Sequence, residues 1–483
     1  MAYVDKAGDT MTGALVVKAA VTAGDATQFY NVGLNLTEST AAPSKRASMN
    51  IGSGWNIGQD YLATGVKDLY IFNGATAKAS LKIGADDVVY LPNPPKITSA
   101  QVDQDGVCNV AYAGADDSGG SNAATAFQVC LDKIASRANG GTLLIPSGGM
   151  FRIDTQLNYG AAGAIAVKSP GGRSAKIVQN CPTLFNFVSN APSDDPSYTG
   201  GRDIAIENLM LYMSAANGKA FNFANPEAVS MINIKGRPTY PGSGYWESFI
   251  TGHNLRSSHF ERFYVQNTNA INAKADVRGQ FMTLTASQGS TDNHMKSLLV
   301  QGFNNAFYMV TNTAPCIEGT IMSDCTIVQC NRGITWVYNG PAGYSPPELH
   351  FRGGHMNCFE CFVGASNVAQ IHISDCDLEL NSVYGDTSAG IILTNVDGAY
   401  VHDNNISFTG GNRATSAIVV AGGLRSRIFG NSGVTPGCTN YVTLQNSARN
   451  ASIYNNETYG AVGMLADGGV NTYTLTGSNR LLI

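Results

Sequence analysis

Charge is scarce in this sequence. Asp, Glu, Lys and Arg together make up 13% of the 483 residues, against about 25% in ordinary globular chains. Extended ion-pair networks and charged helical faces therefore have little to be built from. Lys and Arg nowhere cluster, and the formal net charge is −5. A nucleic-acid surface needs a basic patch or stripe, so nucleic acid is not an expected partner. No stretch reaches the roughly 18 consecutive apolar residues of a membrane-spanning helix, and no membrane insertion is expected. The opening MAYVDKAGDTMTGALVV has an early Asp5 and no apolar run, unlike a secretory signal; synthesis and assembly in the cytoplasm of the producing cell is the expectation. A Gly-x-Ser-x-Gly turn, which presents a nucleophilic serine in α/β-hydrolases, is missing as well.

Glycine, by contrast, is plentiful, at 54 residues where about 7% is usual. With Asn, Thr and Ser it punctuates short apolar segments, the composition of an all-β, turn-rich chain. Ten cysteines lie scattered at 108, 130, 181, 316, 325, 330, 358, 361, 376 and 438. Such spacing does not frame a small disulfide scaffold, and buried free thiols are expected. Cys358 and Cys361 form a C-x-x-C pair with His355, His372 and Cys376 nearby, but one such pair is a weak zinc signal. Neither a metal nor any other cofactor is expected.

The run LPNPPKITSAQVDQDG carries three prolines and few apolar residues and reads as a linker. It gives a β-rich N-terminal region over 1–92, a linker over 93–106 and a large body over 107–457, with a short β tail over 458–483. At the start of the body, Phe127, Cys130, Leu131 and Ile134 fall on one helical face. Ser121 or Asn122 is the candidate N-cap and Gly140 or Gly141 the stop. A single helix between Asn122 and Ala138 thus precedes the strand GGTLLIPSGG.

Further on a pattern recurs in IHISDCDLEL, YVHDNNISF, RIFGNSGV and SIYNNETY. Each has an apolar strand residue (Ile373, Val401, Ile428, Ile453) followed three positions later by a small anchor (Cys376, Asn404, Asn431, Asn456). The anchors are 28, 27 and 25 residues apart. Periods of this size mark stacked architectures in which no repeat buries its own apolar face. Strands of three to five residues between Gly, Asn and Asp turns fit a parallel β-helix, with strands about 4.8 Å apart and asparagines stacked as ladders. Cys325 and Cys376 are then inward anchors, which accounts for them without a metal. The helix is placed to cover the first open end of the stack.

The run from Asn109 to Ile153, NVAYAGADDSGGSNAATAFQVCLDKIASRANGGTLLIPSGGMFRI, resembles the opening of the phage tailspike and pectate-lyase-like right-handed parallel β-helix proteins. In those a Tyr-Gly-Ala-type strand, an Asp-rich turn, a capping helix and a Gly-Gly-Thr-apolar-Ile-Pro strand begin the stack. This chain departs at Ala113, where the family usually has glycine, and at SNAAT, where it usually has an Asp-Asp-Thr-like run. GDTMTG near the start is similar to short repeats of phage tail-fibre proteins. The resemblance implies a homotrimer in the virion, attached through its N-terminal region to a phage tail or baseplate protein. It also implies binding or depolymerisation of a bacterial capsular or O-antigen polysaccharide.

Glycoside hydrolysis needs two carboxyl groups, about 5–5.5 Å apart for retention and about 6.5–9.5 Å apart for inversion. In SDCDLELN, inward Cys376, Leu378 and Leu380 leave Asp377 and Glu379 side by side on the outer face, about 6.6 Å apart along the strand. Asp375 stands at the preceding bend. A second candidate is SGYWESF, where Tyr245 and Trp246 adjoin Glu247. An exposed aromatic beside a carboxylate suits a sugar, and with only three tryptophans in the chain, Trp336 in GITWVYNG is a further candidate contact. Elimination by a lyase is the rival chemistry, with His259, Glu261, Arg262 and Tyr264, or the stretch DNHMK from Asp292 to Lys296, as candidate groups. A spike that binds its glycan without cutting it is the non-enzymatic alternative.

Overall fold

The computed structural model describes residues 106–483 except 162, 171–173, 189–202, 215–216, 227, 240–243, 268–275, 288, 315–316, 382–388, 410–413, 469–472, 477 and 483, and upstream of these the backbone of five strands. The chain divides into two units, Met1–Pro95 and Lys96–Ile483, so the break falls inside the proline-rich run. In the first unit, strands Lys45–Ile51, Trp55–Tyr61, Lys67–Asn73, Lys78–Ile83 and Val89–Tyr90 pair antiparallel in sequence order. GDTMTG lies outside the described residues.

Among the described residues the second unit is a parallel β-solenoid, all-β apart from one helix. Its 34 described strands form one continuous ladder folded into three sheets, and each complete turn contributes to all three. Ala369–Ser374 lies in the first sheet, Asp377–Asn381 in the second and Ala389–Thr394 in the third. The following turn lays Asp397–His402, Asn405–Thr409 and Ser416–Ala421 in register beside them. Strict alternation decides which residues enter: Leu378 and Leu380 are buried while Asp377 and Glu379 face out. Ile373, Val401, Ile428 and Ile453 stack in one inward column. Higher in the stack the core is filled by parallel phenylalanine pairs, Phe185 on Phe221 and Phe187 on Phe223.

The expected anchors form a buried ladder. Asn404 Nδ2 donates to Asn431 Oδ1 (2.9 Å), Asn431 Nδ2 to Asn456 Oδ1 (3.0 Å) and Asn456 Nδ2 to Asn479 Oδ1 (3.1 Å). Each amide also caps a carbonyl of the preceding strand, at Ile373, Val401 and Ile428. The stack does not stop at 457. Strands Glu457–Tyr459, Gly463–Asp467, Tyr473–Thr476 and Arg480–Leu482 continue all three sheets in parallel register, and Asn479 extends the ladder into the segment read as a tail.

At the corner between the first and second sheets one residue per turn takes a left-handed backbone, from Asn208 through Asp375 and Asp403 to Asn455, with φ between 53° and 66°. Asn, Asp and Gly bear this conformation at least cost, which explains their recurrence. Gly140 and Gly141 answer to closeness as well: a Cβ on either would collide with a neighbouring backbone carbonyl, of Ala164 and of Gly106.

The helix spans Ala124–Ala135 and buries the expected Phe127, Cys130, Leu131 and Ile134 against the first strands. The N-cap position falls at Ala123, one residue beyond the expected Asn122, whose Oδ1 accepts from the Ala124 N–H (3.0 Å), and the helix stops at Ser136, short of the expected Gly140 or Gly141. The thiol expectation needs correcting here, because Cys130 of the helix is disulfide-bonded to Cys108 of the first strand. Closing that 22-residue separation contributes about 3 kcal/mol by the chain-entropy account. Seven other cysteines are buried free thiols, and Cys316 lies outside the described residues. Burial pushes Cys181, Cys325, Cys330, Cys361 and Cys438 up to about 12, Cys376 to about 11, and Cys358 well above the usual value. Thiolate is the reactive species, so iodoacetamide at about pH 8 will leave these seven unlabelled in the native protein and label all of them in denaturant. Peptide mapping checks both this and the Cys108–Cys130 link, which disappears only on reduction.

Candidate active site and outer-face depressions

Asp377 and Glu379 stand on the outer face of the second sheet, Asp377 exposed and Glu379 half-buried. Neighbouring turns supply their partners. Asn405 Nδ2 donates to Asp377 Oδ1 (2.9 Å), and His355 Nδ1 lies 3.3 Å from Asp377 Oδ2. Thr409 Oγ1 donates to Glu379 Oε1 (3.2 Å). Three rungs in register, His355 on Asp377 on Asn405, thus orient a carboxylate beside a second one on the same strand.

The other sequence candidates divide. Asp375 is adjacent, but it occupies the left-handed corner position with φ 59°, and its carboxylate lies 3.9 Å from Arg352; turn geometry accounts for it. Trp246 and Trp336 are corrected: both are core residues, 0% and 1% exposed, and present no face to a sugar. Trp246 Nε1 donates to Gln179 Oε1 (3.0 Å), and its ring packs edge-on against Phe249 at 4.8 Å. Room for both rings exists because Gly236 lacks a Cβ. The C-x-x-C pair is also divided from its supposed partners, since Cys358, Cys361 and Cys376 are buried while His355 and His372 stand on outer faces. Among the described residues no group of three or more His, Cys, Asp or Glu is arranged to hold a metal ion, and no helix is long and apolar enough to cross a membrane.

Tyr245 and Glu247 do come together, in a cavity of about 540 Å³ shared with Asn217, Val277, Arg278, Gly279 and Asn304. It opens where the third-sheet strand Trp246–His253 begins, five strand spacings before Ala389–Thr394 of the Asp377 turn, hence roughly 24 Å away along the stack. Glu247 and Asp377 therefore cannot serve one bond in one chain. Between them on the third sheet is a depression of about 420 Å³ at Thr335, Gly364 and Thr394, bordered by the ion pair of Arg332 and Glu360 (2.8 Å). Asn331 Nδ2 donates to Asn304 Oδ1 (2.8 Å), joining its first turn to the cavity above.

Arg278 was missed by sequence reasoning, and so were two columns of rings on the outer first sheet. His350, His372 and Tyr400 stack at 4.4 and 4.6 Å, and His402, Phe429 and Tyr454 at 4.7 and 4.9 Å. Their sequence signal was a His, Tyr or Phe at matching positions of successive repeats. Burial first, then the neighbouring His350 and His402, holds the His372 imidazole below its ordinary value of 6.5. The folded protein therefore takes up a proton at His372 less readily than the unfolded chain. Its stability contribution is present above about pH 6.5 and is lost as pH falls through the lowered value. His372→Tyr keeps the stack and removes the titration, so its thermal midpoint will fall less than that of the wild type between neutral and mildly acidic pH.

Fold and outer surface define a class: parallel β-solenoids whose turns carry polar depressions and carboxylates on the outside. No family model and no curated protein matches the sequence. Among solved structures the chain is similar to PfbA, a surface adhesin of Streptococcus pneumoniae, at 12% identity and a TM-score of 0.49 over 74% of this chain and 90% of that one. It is similar to a tailspike protein of E. coli bacteriophage HK620, in complex with a pentasaccharide, at 14% and 0.47 over 76% of this chain and 62% of that one. It is also similar to the A-module of mannuronan C-5 epimerase AlgE4 from Azotobacter vinelandii, at 15% and 0.39 over 78% and 99%. An adhesin, a tailspike and an epimerase stand side by side here, and the likeness is one of fold.

Proposed function

We propose that the protein is a phage tailspike that binds and depolymerises a bacterial surface polysaccharide, capsule or O-antigen, by glycoside hydrolysis. The observation that carries this reading is the oriented pair Asp377 and Glu379, two outward carboxylates on one strand with hydrogen bonds from His355, Asn405 and Thr409. Their spacing along the strand, about 6.6 Å, lies at the lower edge of the inverting range of about 6.5–9.5 Å. One group protonates the glycosidic oxygen; the other takes a proton from a water that attacks the opposite face of the sugar, inverting the anomeric centre. A carboxylate pair on the outer face of a sheet is open to a polymer lying across it, which suits cleavage within a chain. The resemblance of the Asn109–Ile153 run and of GDTMTG to phage proteins supports a place in the virion, a homotrimeric assembly and attachment to the tail through the N-terminal unit.

Incubation with a panel of capsular and O-antigen polysaccharides tests the reading. Hydrolysis is expected to shorten one polymer on gel filtration and release reducing ends without ultraviolet absorbance. Absorbing, unsaturated uronic ends would instead mean a lyase. Tight binding with unchanged polymer size across the panel would mean a receptor-binding spike, and the hydrolase reading would fall.

A further inference from the structure

The cavity at Tyr245 is lined by two charges of opposite sign. Neither the Glu247 carboxylate nor the Arg278 guanidinium makes an ion pair or side-chain hydrogen bond among the described residues. Arg278 is nevertheless held, its guanidinium 5.2 Å from the centre of the Tyr245 ring. A cation–π contact of this kind fixes the group while leaving its five N–H donors free. The two walls are tied together from beneath. Buried Asn267 accepts from the Trp246 N–H (2.7 Å) and donates to the carbonyls of Trp246 (3.0 Å) and Arg278 (2.6 Å). Gly279 closes the floor so near the Trp246 carbonyl that a Cβ has no room. Asn304, anchored through its Oδ1 by Asn331, completes a polar lining. This is a preformed site, with one held fork of donors and one carboxylate acceptor in the same lining.

We infer that this cavity is a subsite for a carboxylate-bearing sugar unit: Arg278 grips the sugar carboxylate, and Glu247 and the asparagines take its hydroxyl groups. A planar guanidinium matches a carboxylate in two parallel hydrogen bonds, whereas a neutral sugar leaves its charge unanswered. The inference rests on the reading of the protein as polysaccharide-binding and names the class of its polymer as acidic. Four turns separate Arg278 from Asp377, and five separate Glu247 from it, so only a polymer touches both.

Saturation-transfer NMR with the full chain tests it, using the methyl glycosides of glucuronate, galacturonate and mannuronate beside their neutral parents. At least one uronide is expected to bind roughly tenfold or more tightly than its parent, and Arg278→Gln to remove that preference. Arg278→Lys, which keeps the charge but not the fork, is expected to fall between. Equal binding of acidic and neutral glycosides, binding of no uronide at all, or an undiminished preference in Arg278→Gln would each overturn the subsite. Both charged side chains are exposed, so unchanged thermal midpoints will confirm that the variants are folded. Depolymerisation is read separately. A protein that binds a uronide but shortens no polymer sinks the hydrolase reading alone, and one that cuts a neutral polymer and ignores every uronide sinks the subsite alone.

Discussion

Replacing Asn431 by alanine will destabilise the solenoid by about 4 kcal/mol, while Ser452→Ala, on an outward position one turn on, will change stability by less than about 0.5 kcal/mol. Asn431 is 0% exposed. Its Oδ1 accepts from the N–H (3.2 Å) and Nδ2 (2.9 Å) of Asn404, and its Nδ2 donates to Val401 O (2.9 Å) and Asn456 Oδ1 (3.0 Å). Truncation strands two donors of Asn404 and breaks the bond to the Val401 carbonyl where water cannot reach them, at about 1–3 kcal/mol each, less what relaxation of the ladder recovers; Asn456 Oδ1 keeps the Asn431 backbone N–H (3.2 Å). Stacked repeats unfold by neighbours rather than all at once, so hydrogen exchange is the measurement to pair with denaturant unfolding. Protection is expected to collapse around Val401, Ile428 and Ile453 before it does near Phe221. Uniform loss along the stack would show that the ladder does not act locally.

The largest functional effect is expected at the carboxylate pair. Asp377→Asn and Glu379→Gln, made separately, will each lower reducing-end release on the cognate polysaccharide by on the order of 10²–10⁴-fold, the usual contribution of a positioned acid or base. Both side chains face outward, so folding is preserved and binding of the polymer survives. His355→Ala is expected to cost less, because Asn405 still holds Asp377. Full activity in both carboxamide variants would remove the pair from the mechanism.

What the sequence made legible follows from its periodicity. Cys376, Asn404, Asn431 and Asn456 stood out because consecutive turns are of nearly equal length, and Leu378 and Leu380 then required Asp377 and Glu379 to point outward. Asn479 escaped notice because a shorter turn and a Gly-Gly-Val-Asn stretch interrupt the period before it. Trp246 was misjudged for another reason. Its glycine-rich flank looks exposed, and nothing local reveals that Gln179, 67 residues upstream, receives its indole N–H or that Gly236 leaves space for the ring. The Cys108–Cys130 bond joins a strand to a helix, a pairing that no spacing rule announces. Likewise His355, Asn405 and Thr409 reach the carboxylates from turns 22 to 30 residues away, and only the register of the stack says which residues those are.

The corner column of left-handed residues makes each turn a closed unit that repeats without disturbing the next. Whole turns can then be gained or lost while every register on either side is kept. Distances measured along the outside are consequently quantised: the interval between Arg278 and Asp377 is four rungs, and insertion or deletion alters it in steps of about 4.8 Å. The solenoid is in this sense a graduated ruler, and a lineage that met a surface polymer with a longer or shorter repeat could retune its reach by one division at a time, with neither mark redrawn.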